Sequence, residues 1–404
     1  MTSRVRCLAL ADSHFSGRPG GKLAECEAIH LEIADKAAAH GATLTVHAGD
    51  LAHAASTPDE RAAEARVLTR LAAFGPVVLV RGNHDTRRDL AIFRRLRTVH
   101  PILVAEEPSV FIVAGVAVAC LPWPDIGDLT TAARALGGTG TAAEIGRAYR
   151  ASIAALAAQV EREAGGLPRV VVSHAMIQGA SFTGEQPRDV RCDLTIGVED
   201  LGVIRADAYV VGHIHRGQAW DLRGAPVVYP GSPYRTDFAE LEPKRYLLLD
   251  VGDGPTIVTP CATSAAQMLC LEATLDAATG TLQATLAPEH GVDRAFMLDD
   301  ARNADVRVRY RFEPTCREEA KRAYGEFRER LLAAGARSVK PDPVPLVGEK
   351  VRGRIGGASG ASGATMTLLD KVCVVAQRQG NAVDGARRED VGALLGELER
   401  RTPL

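Results

Sequence analysis

Five short motifs set histidines beside carboxylates and one amide: Asp12-Ser13-His14, Gly49-Asp50, Gly82-Asn83-His84-Asp85, Ser173-His174 and Gly212-His213-Ile214-His215. In extended backbone, residues i and i+2 point the same way, so Asp12 with His14, and His213 with His215, each offer two donors to one place. Imidazole, carboxylate and amide oxygen with no thiolate suit manganese, iron or zinc, and magnesium less well. Two ions about 3.5–4 Å apart need a ligand that bridges them, a role that falls to the carboxylate of Asp50. Asp12, His14 and His215 then go to one ion, and Asn83, His174 and His213 to the other. Such a pair of cations lowers the pKa of water and neutralises charge on phosphoryl oxygens, so the chemistry expected is phosphoester hydrolysis. His84, next to Asn83, is the candidate to protonate the leaving oxygen, with Asp85 expected to orient its imidazole. A lone histidine after a strand is a weak signal, but five motifs, each at a strand end, argue against chance. The other histidines read as structural. His47 alternates within an apolar strand and belongs to the core, while His30, His40, His100 and His290 read as surface.

These motifs need a scaffold that brings strand ends together. Apolar runs at 5–11, 42–48, 76–81, 169–173 and 208–212 each stop at a motif, and catalytic loops converge at the carboxyl ends of strands in α/β sheets. Glycines before Asp50, Asn83 and His213 allow close backbone approach. Between the strands lie helical stretches at 22–40, at 58–75 with Thr57 as cap and Pro58 at the first position, and at 141–164. Further strands are expected at 102–105, 110–114, 116–121, 226–229 and 246–251. Strands alternating with helices predict a layered α/β sandwich with mixed sheets.

The pattern changes near residue 261. Val306, Val308, Tyr310 and Phe312 alternate with Arg307, Arg309 and Arg311, as in a half-buried strand. A helix at 316–334 and a Pro-rich extended segment follow, which makes a small α+β module. GRIGGASGASGA at 353–364 reads as a flexible linker, and two short amphipathic stretches near 367–379 and 387–401 as a helical, partner-binding tail. Three parts are expected: 1–260, 261–346 and 347–404. Between Arg302 and Arg354 fourteen Lys/Arg stand against eight Asp/Glu, a local basic excess in a chain of net charge −2. Phosphate neutralisation by such charge gives affinity without sequence preference. Eight scattered cysteines without a CxxC pair suit reduced thiols. No run of about 18 apolar residues is present, and the first motif begins so early that no signal peptide is expected; the reading is a cytoplasmic protein with no membrane association.

At these motifs the chain resembles the calcineurin-like metallophosphoesterases, and within them the SbcD branch, the nuclease subunit of a double-strand-break repair complex. Asp50-Leu51-Ala52-His53 matches that branch in placing a histidine three residues after the bridging aspartate. Gly212-His213-Ile214-His215-Arg216 followed by Tyr229-Pro230-Gly231-Ser232-Pro233 is similar to its typical phrasing. The resemblance implies a four-layer metallophosphoesterase sandwich at 1–260 and a DNA-capping domain at 261–346. It implies two divalent ions, manganese first among them, and a DNA exo/endonuclease working with an SMC-like ATPase of the SbcC type. His53 is then positioned to contact the phosphate. The basic run that opens with Arg87 and Arg88 would guide a DNA strand or support a homodimer, and Arg307, Arg309 and Arg311 would bind DNA backbone. The competing reading is a phosphodiesterase or phosphatase acting on a small nucleotide, lipid or protein phosphate with the same dimetal centre.

Overall fold

Apolar runs that stop at the motifs become the central strands. The computed structural model describes residues 4–18, 21–135, 137–182, 194–276, 278–290 and 296–346. The chain opens with β1 (Val5–Leu10), α1 (Leu23–Ala39), β2 (Leu44–His47), α2 (Pro58–Leu71) and β3 (Val77–Val80). Next come α3 (Arg87–Phe93), β4 (Ile102–Ala105), β5 (Ser109–Val113) and β6 (Val116–Leu121), then α4 (Ile126–Ala135) and α5 (Ala142–Glu163). β7 (Arg169–His174), β8 (Met176–Ile177), β9 (Thr195–Ile196), α6 (Val198–Leu201) and β10 (Ala208–Gly212) follow. β11 (Gln218–Leu222), β12 (Ala225–Tyr229), β13 (Arg245–Val251) and β14 (Ile257–Ala262) complete the sandwich.

Two six-stranded sheets result, ordered β14-β13-β1-β2-β3-β4 and β11-β12-β10-β7-β6-β5. β1 to β4 run parallel, as do β6, β7, β10 and β12. Alternate residues of one strand serve two cores. Cys7 and Ala9 of β1 join Val46, Val78, Val118, Val172 and Val210 between the sheets, whereas Leu8 and Leu10 face α1 and α2. On the far side Tyr149, Ile153, Leu156 and Val160 of α5 cover the second sheet. The layers are therefore helix, sheet, sheet, helix. Strands buried on both faces read as continuous apolar runs, which is why they stood out in the sequence. Thr57 and Thr141 cap α2 and α5 with reciprocal capping boxes to Glu60 and Glu144. α2 stops at Leu71, before the Gly75 expected to end it.

The third sheet, β16-β15-β17-β18, is built from β15 (Gln267–Asp276), β16 (Thr281–Leu286), β17 (Ala304–Phe312) and β18 (Ser338–Pro345), with α7 (Arg317–Ala333) packed on it. β15 and β16 escaped the sequence reading because Gln267–Asp276 lacks a clean alternation. In β17 Val306, Val308, Tyr310 and Phe312 are buried and the intervening arginines are not, as the alternation requires. The cap is fastened to α1 by charge: Lys22 Nζ lies 2.6 Å from Asp305, and Arg337 lies 2.8 Å from Glu25. Arg235 ties the passage between the parts together, donating to the carbonyls of Glu240, Glu242 and Ala266 at 2.8–3.0 Å. Residues 1–346 form one compact unit. The flexible linker and helical tail expected at 347–404 lie outside the described residues.

One sequence reading is overturned in the core. His30 is not a surface residue; it is 1% exposed. Its Nδ1–H donates to Cys26 O at 2.7 Å, which leaves Nε2 to accept from Ser13 Oγ at 2.7 Å. Ser13 Oγ in turn receives His47 Nε2–H at 2.7 Å, so the hydroxyl spans two buried imidazoles behind the motif Asp12-Ser13-His14. Burial holds His30 down at about 4 and His47 at about 3, so both are neutral. Because the unfolded chain takes up those protons near pH 6.5, this contribution is complete above that pH and falls away as pH drops towards 4. For His30 the loss between pH 7 and pH 5 is about 2 kcal/mol. In His30→Gln, urea unfolding at the two pH values should show a pH-dependent loss smaller by about that amount. An unchanged difference would rule out His30 as an acid-sensitive group.

Candidate dimetal site

Every motif sits where its strand ends. Asp12 and His14 follow β1, Asp50 follows β2, Asn83 follows β3, His174 closes β7, and His213 and His215 follow β10. The two sheets thus contribute to one place. Stitching bonds join their loops: Asp12 N–H to Gly49 O at 3.0 Å, His14 N–H to Asp50 O at 3.0 Å, and His213 N–H to Asp12 Oδ1 at 2.8 Å. Asp12, His14, Asp50 and His213 all have positive φ, between 45° and 105°, which side-chain-bearing residues rarely adopt. Glycine is required at two neighbours. A Cβ on Gly82 would collide with Asp50 Oδ1, and one on Gly212 with Ala48 O.

Two donor sets form, as the spacing predicts. The nearest ligand atoms of Asp12, His14 and His215 lie within 4.8 Å of one another, and so do those of Asp50, His174 and His213. Asn83 Oδ1 is 2.8 Å from His174 Nε2 and 3.1 Å from His213 Nδ1, so it joins the second set. Asp50 Oδ2 stands between the sets, 3.4 Å from His174 Nε2 and 3.7 Å from His14 Nε2.

The hydrogen bonds around the ligands test whether metals fit. His174 Nδ1–H donates to Ala48 O at 2.7 Å, so its Nε2 offers a lone pair to the carbonyl oxygen of Asn83, itself an acceptor. His215 Nδ1–H donates to Glu240 at 2.8 Å, so its Nε2 likewise offers a lone pair to His14 Nε2, 2.9 Å away. Among the described residues Asp12 Oδ2 and His14 Nδ1 are buried without a hydrogen-bond partner. Acceptors facing acceptors in a dry wall are an arrangement that a cation satisfies. The His/Asp groups fit divalent metals.

Several supporting residues were invisible in the sequence. Glu240 holds His215 and is itself gripped by Lys244 at 2.8 Å and by Thr236. Burial opposes its ionisation, yet the His215 and Lys244 contacts outweigh that and keep its carboxyl far below the usual range. Tyr234 donates to His14 O at 3.0 Å. The indole of Trp123 lies 4.8 Å from the His213 ring. None of these shares a motif with a ligand, so only the folded chain reveals them.

The expected roles of the GNHD residues divide differently. Asp85 does not orient His84. Its carboxylate accepts the backbone N–H groups of Asp50, Ala52 and Gly82 at 2.8–2.9 Å, because the tight turn sends it beneath the Asp50 loop. His84 is oriented by His53 O, which accepts Nδ1–H at 2.8 Å and leaves Nε2 for other work. The imidazoles of His53 and His84 are exposed and stacked at 5.4 Å, each within 5.6 Å of the His14 ring. The expected DNA contacts vary. Arg87 is engaged by Glu107 at 3.2 Å and Asp128 at 3.3 Å, and Arg88 is exposed. Arg309 pairs with Glu272 and Asp342, Arg311 pairs with Glu272, and Arg307 lies 4.3 Å over the Phe238 ring.

This geometry separates holding from turnover. Asp50→Ala, which removes the carboxylate between the sets, should lose bound metal and activity together. His84→Ala should keep two metals per chain by elemental analysis and slow turnover about 10²- to 10⁴-fold, the range of general acid catalysis. Metal loss in His84→Ala would make it a ligand and sink the division.

Among the described residues no helix is long and apolar enough to cross a membrane. A search of curated proteins returned no match. Similar solved structures include TT1561 of Thermus thermophilus, with 15% identity over 64% of this chain and 99% of that one, at a TM-score of 0.40. A dimetal phosphatase from Danio rerio shows 11% identity over 64% of this chain and 96% of its own, at a TM-score of 0.40. The phosphopantetheinyl hydrolase of Mycobacterium tuberculosis shows 16% identity over 58% and 92%, at a TM-score of 0.29. Residues 5–254 match the family model of the calcineurin-like phosphoesterase superfamily domain. The chain therefore belongs to the calcineurin-like phosphoesterase superfamily, hydrolases of phosphoester bonds.

Proposed function

We propose that this phosphoesterase is a DNA exo/endonuclease of the SbcD kind, using manganese in its dimetal site. The observation that carries the reading is where the cap meets the site. Arg307 of β17 lies over Phe238, in the same loop as Glu240, the carboxylate that holds His215. Lys340 of β18 approaches the same ring at 6.0 Å. Cationic side chains of the cap thus reach the loop that braces the metal ligands, where a phosphate chain longer than one ester would gain from them. Arg309 and Arg311 contribute less, since neighbouring carboxylates already neutralise them.

Bound in the two donor sets, divalent cations would supply Lewis acidity and a lowered water pKa. The chain's own residues do the rest. Asp50, Asn83 and the histidines fix the positions of the donors. His84, with Nδ1–H committed to His53 O, presents Nε2 to the leaving oxygen and hands over its proton there. His53, stacked alongside, is placed to contact the phosphate.

The deciding assay sets manganese-dependent digestion of an end-labelled linear duplex beside hydrolysis of bis-p-nitrophenyl phosphate. Both should proceed. Arg307→Gln should weaken duplex binding on all sequences alike and lower its salt slope by about 1, with the small diester unaffected. An enzyme that hydrolyses only the small diester is a phosphodiesterase or phosphatase of another substrate, the competing reading.

Residues 347–404 are proposed to bind an SMC-like ATPase of the SbcC type. Their deletion should spare nuclease activity and abolish co-purification with that ATPase; retained co-purification would dismiss the tail as the contact. The sedimentation mass of the intact protein tests the proposed homodimer.

A further inference from the structure

Trp123 is an aromatic group at the site that the hydrolytic machinery does not use. It follows β6 in the run Leu121-Pro122-Trp123-Pro124, where two prolines restrict the backbone. Its N–H donates to Arg81 O at 2.9 Å, and its own carbonyl accepts Arg81 Nη2 at 2.6 Å. Arg81 is buried and directly precedes Gly82-Asn83-His84-Asp85. The indole is therefore held from both sides of its peptide by the segment that carries Asn83 and His84. Its ring lies 4.8 Å from His213 at 33° and 5.8 Å from His174 at 72°, and the residue remains half-buried.

Packing on His213 alone would be served by any apolar side chain. A fixed, partly open π-surface beside a phosphoester site can do more. The stacked imidazoles of His53 and His84 stand against His14, while Trp123 stands against His174 and His213. Flat rings thus flank both donor sets. Every nucleobase has a face that stacks on an aromatic ring, and such stacking tolerates any sequence. A base inside a duplex is already stacked on its neighbours and must leave them before it can lie on a side chain.

We propose that Trp123 stacks on the nucleobase adjoining the scissile phosphate, so that the preferred substrate is an unpaired DNA strand or frayed end. This deepens the nuclease reading and rests on it.

The chain has two tryptophans, so in a Trp220→Phe background Trp123 is the sole indole fluorophore. The probes are a five-residue oligothymidylate and a five-residue abasic strand of the same backbone, mixed in stopped flow and read before turnover. The oligothymidylate should quench Trp123 and the abasic strand should not. In steady state, Trp123→Ala should raise KM for the oligothymidylate about tenfold, within what one stacked base supplies. It should leave KM for the abasic strand unchanged, and Trp123→Phe should recover most of the loss. Equal effects of Trp123→Ala on both strands, or quenching by both, would reduce the indole to packing for His213 and overturn the inference. A wild-type enzyme that neither binds nor cuts either strand would fail earlier, at the nuclease reading itself.

Discussion

Three backbone N–H groups, those of Asp50, Ala52 and Gly82, converge on the carboxylate of Asp85. This clamp cinches the loops after β2 and β3 together and sets Asp50 between the two donor sets. It is a costly arrangement. Burial and the nearby charge of Asp50 push Asp85 up to about 6, against the pull of the backbone donors. Asp12, Asp50 and Asp85 are all buried, and anions so placed are tolerable only with compensating positive charge. The chain supplies donors to hold two of these carboxylates in place, and the remaining lone pairs point inward. The site's demand for cations follows from its own hydrogen bonds as much as from its ligands.

Backbone strain is the second cost. Four ligand residues sit in the left-handed region, each at about 1–3 kcal/mol. The surrounding body over-determines these conformations. Val46, Val78, Val172 and Val210 are fully buried in strands that lead straight into the ligand loops. Where a loop passes close to another, as at Gly82 and Gly212, the absence of a side chain lets the strained residue keep its place.

The ligands were legible because strand, turn and i,i+2 spacing all lie within a few residues of each other. The four-layer sandwich was legible for a related reason, since strands buried on both faces cannot hide their apolar runs. What was missed depends on contacts distant in sequence. Glu240 meets His215 across 25 residues, Trp123 meets His213 across a sheet, and Ser13 joins His30 to His47 from three separate elements. Asp85 misled because adjacency to His84 suggests a pair, whereas the turn between them sends the two side chains to different neighbours. The three arginines of β17 showed their common face in the alternation, but not the carboxylates of β15 and β18 that occupy two of them.

Arg235 has a mechanical meaning. Its guanidinium is shared between Ala266, where the chain crosses into the cap, and Glu240 and Glu242, beside the carboxylate that holds His215. With Lys22 to Asp305 and Arg337 to Glu25 fastened across the same joint, the cap is bolted to its base and not hung on a hinge. A torque on the cap would be transmitted through one buried side chain to the mounting of a metal ligand, so the joint and the chemistry share a single rigid link.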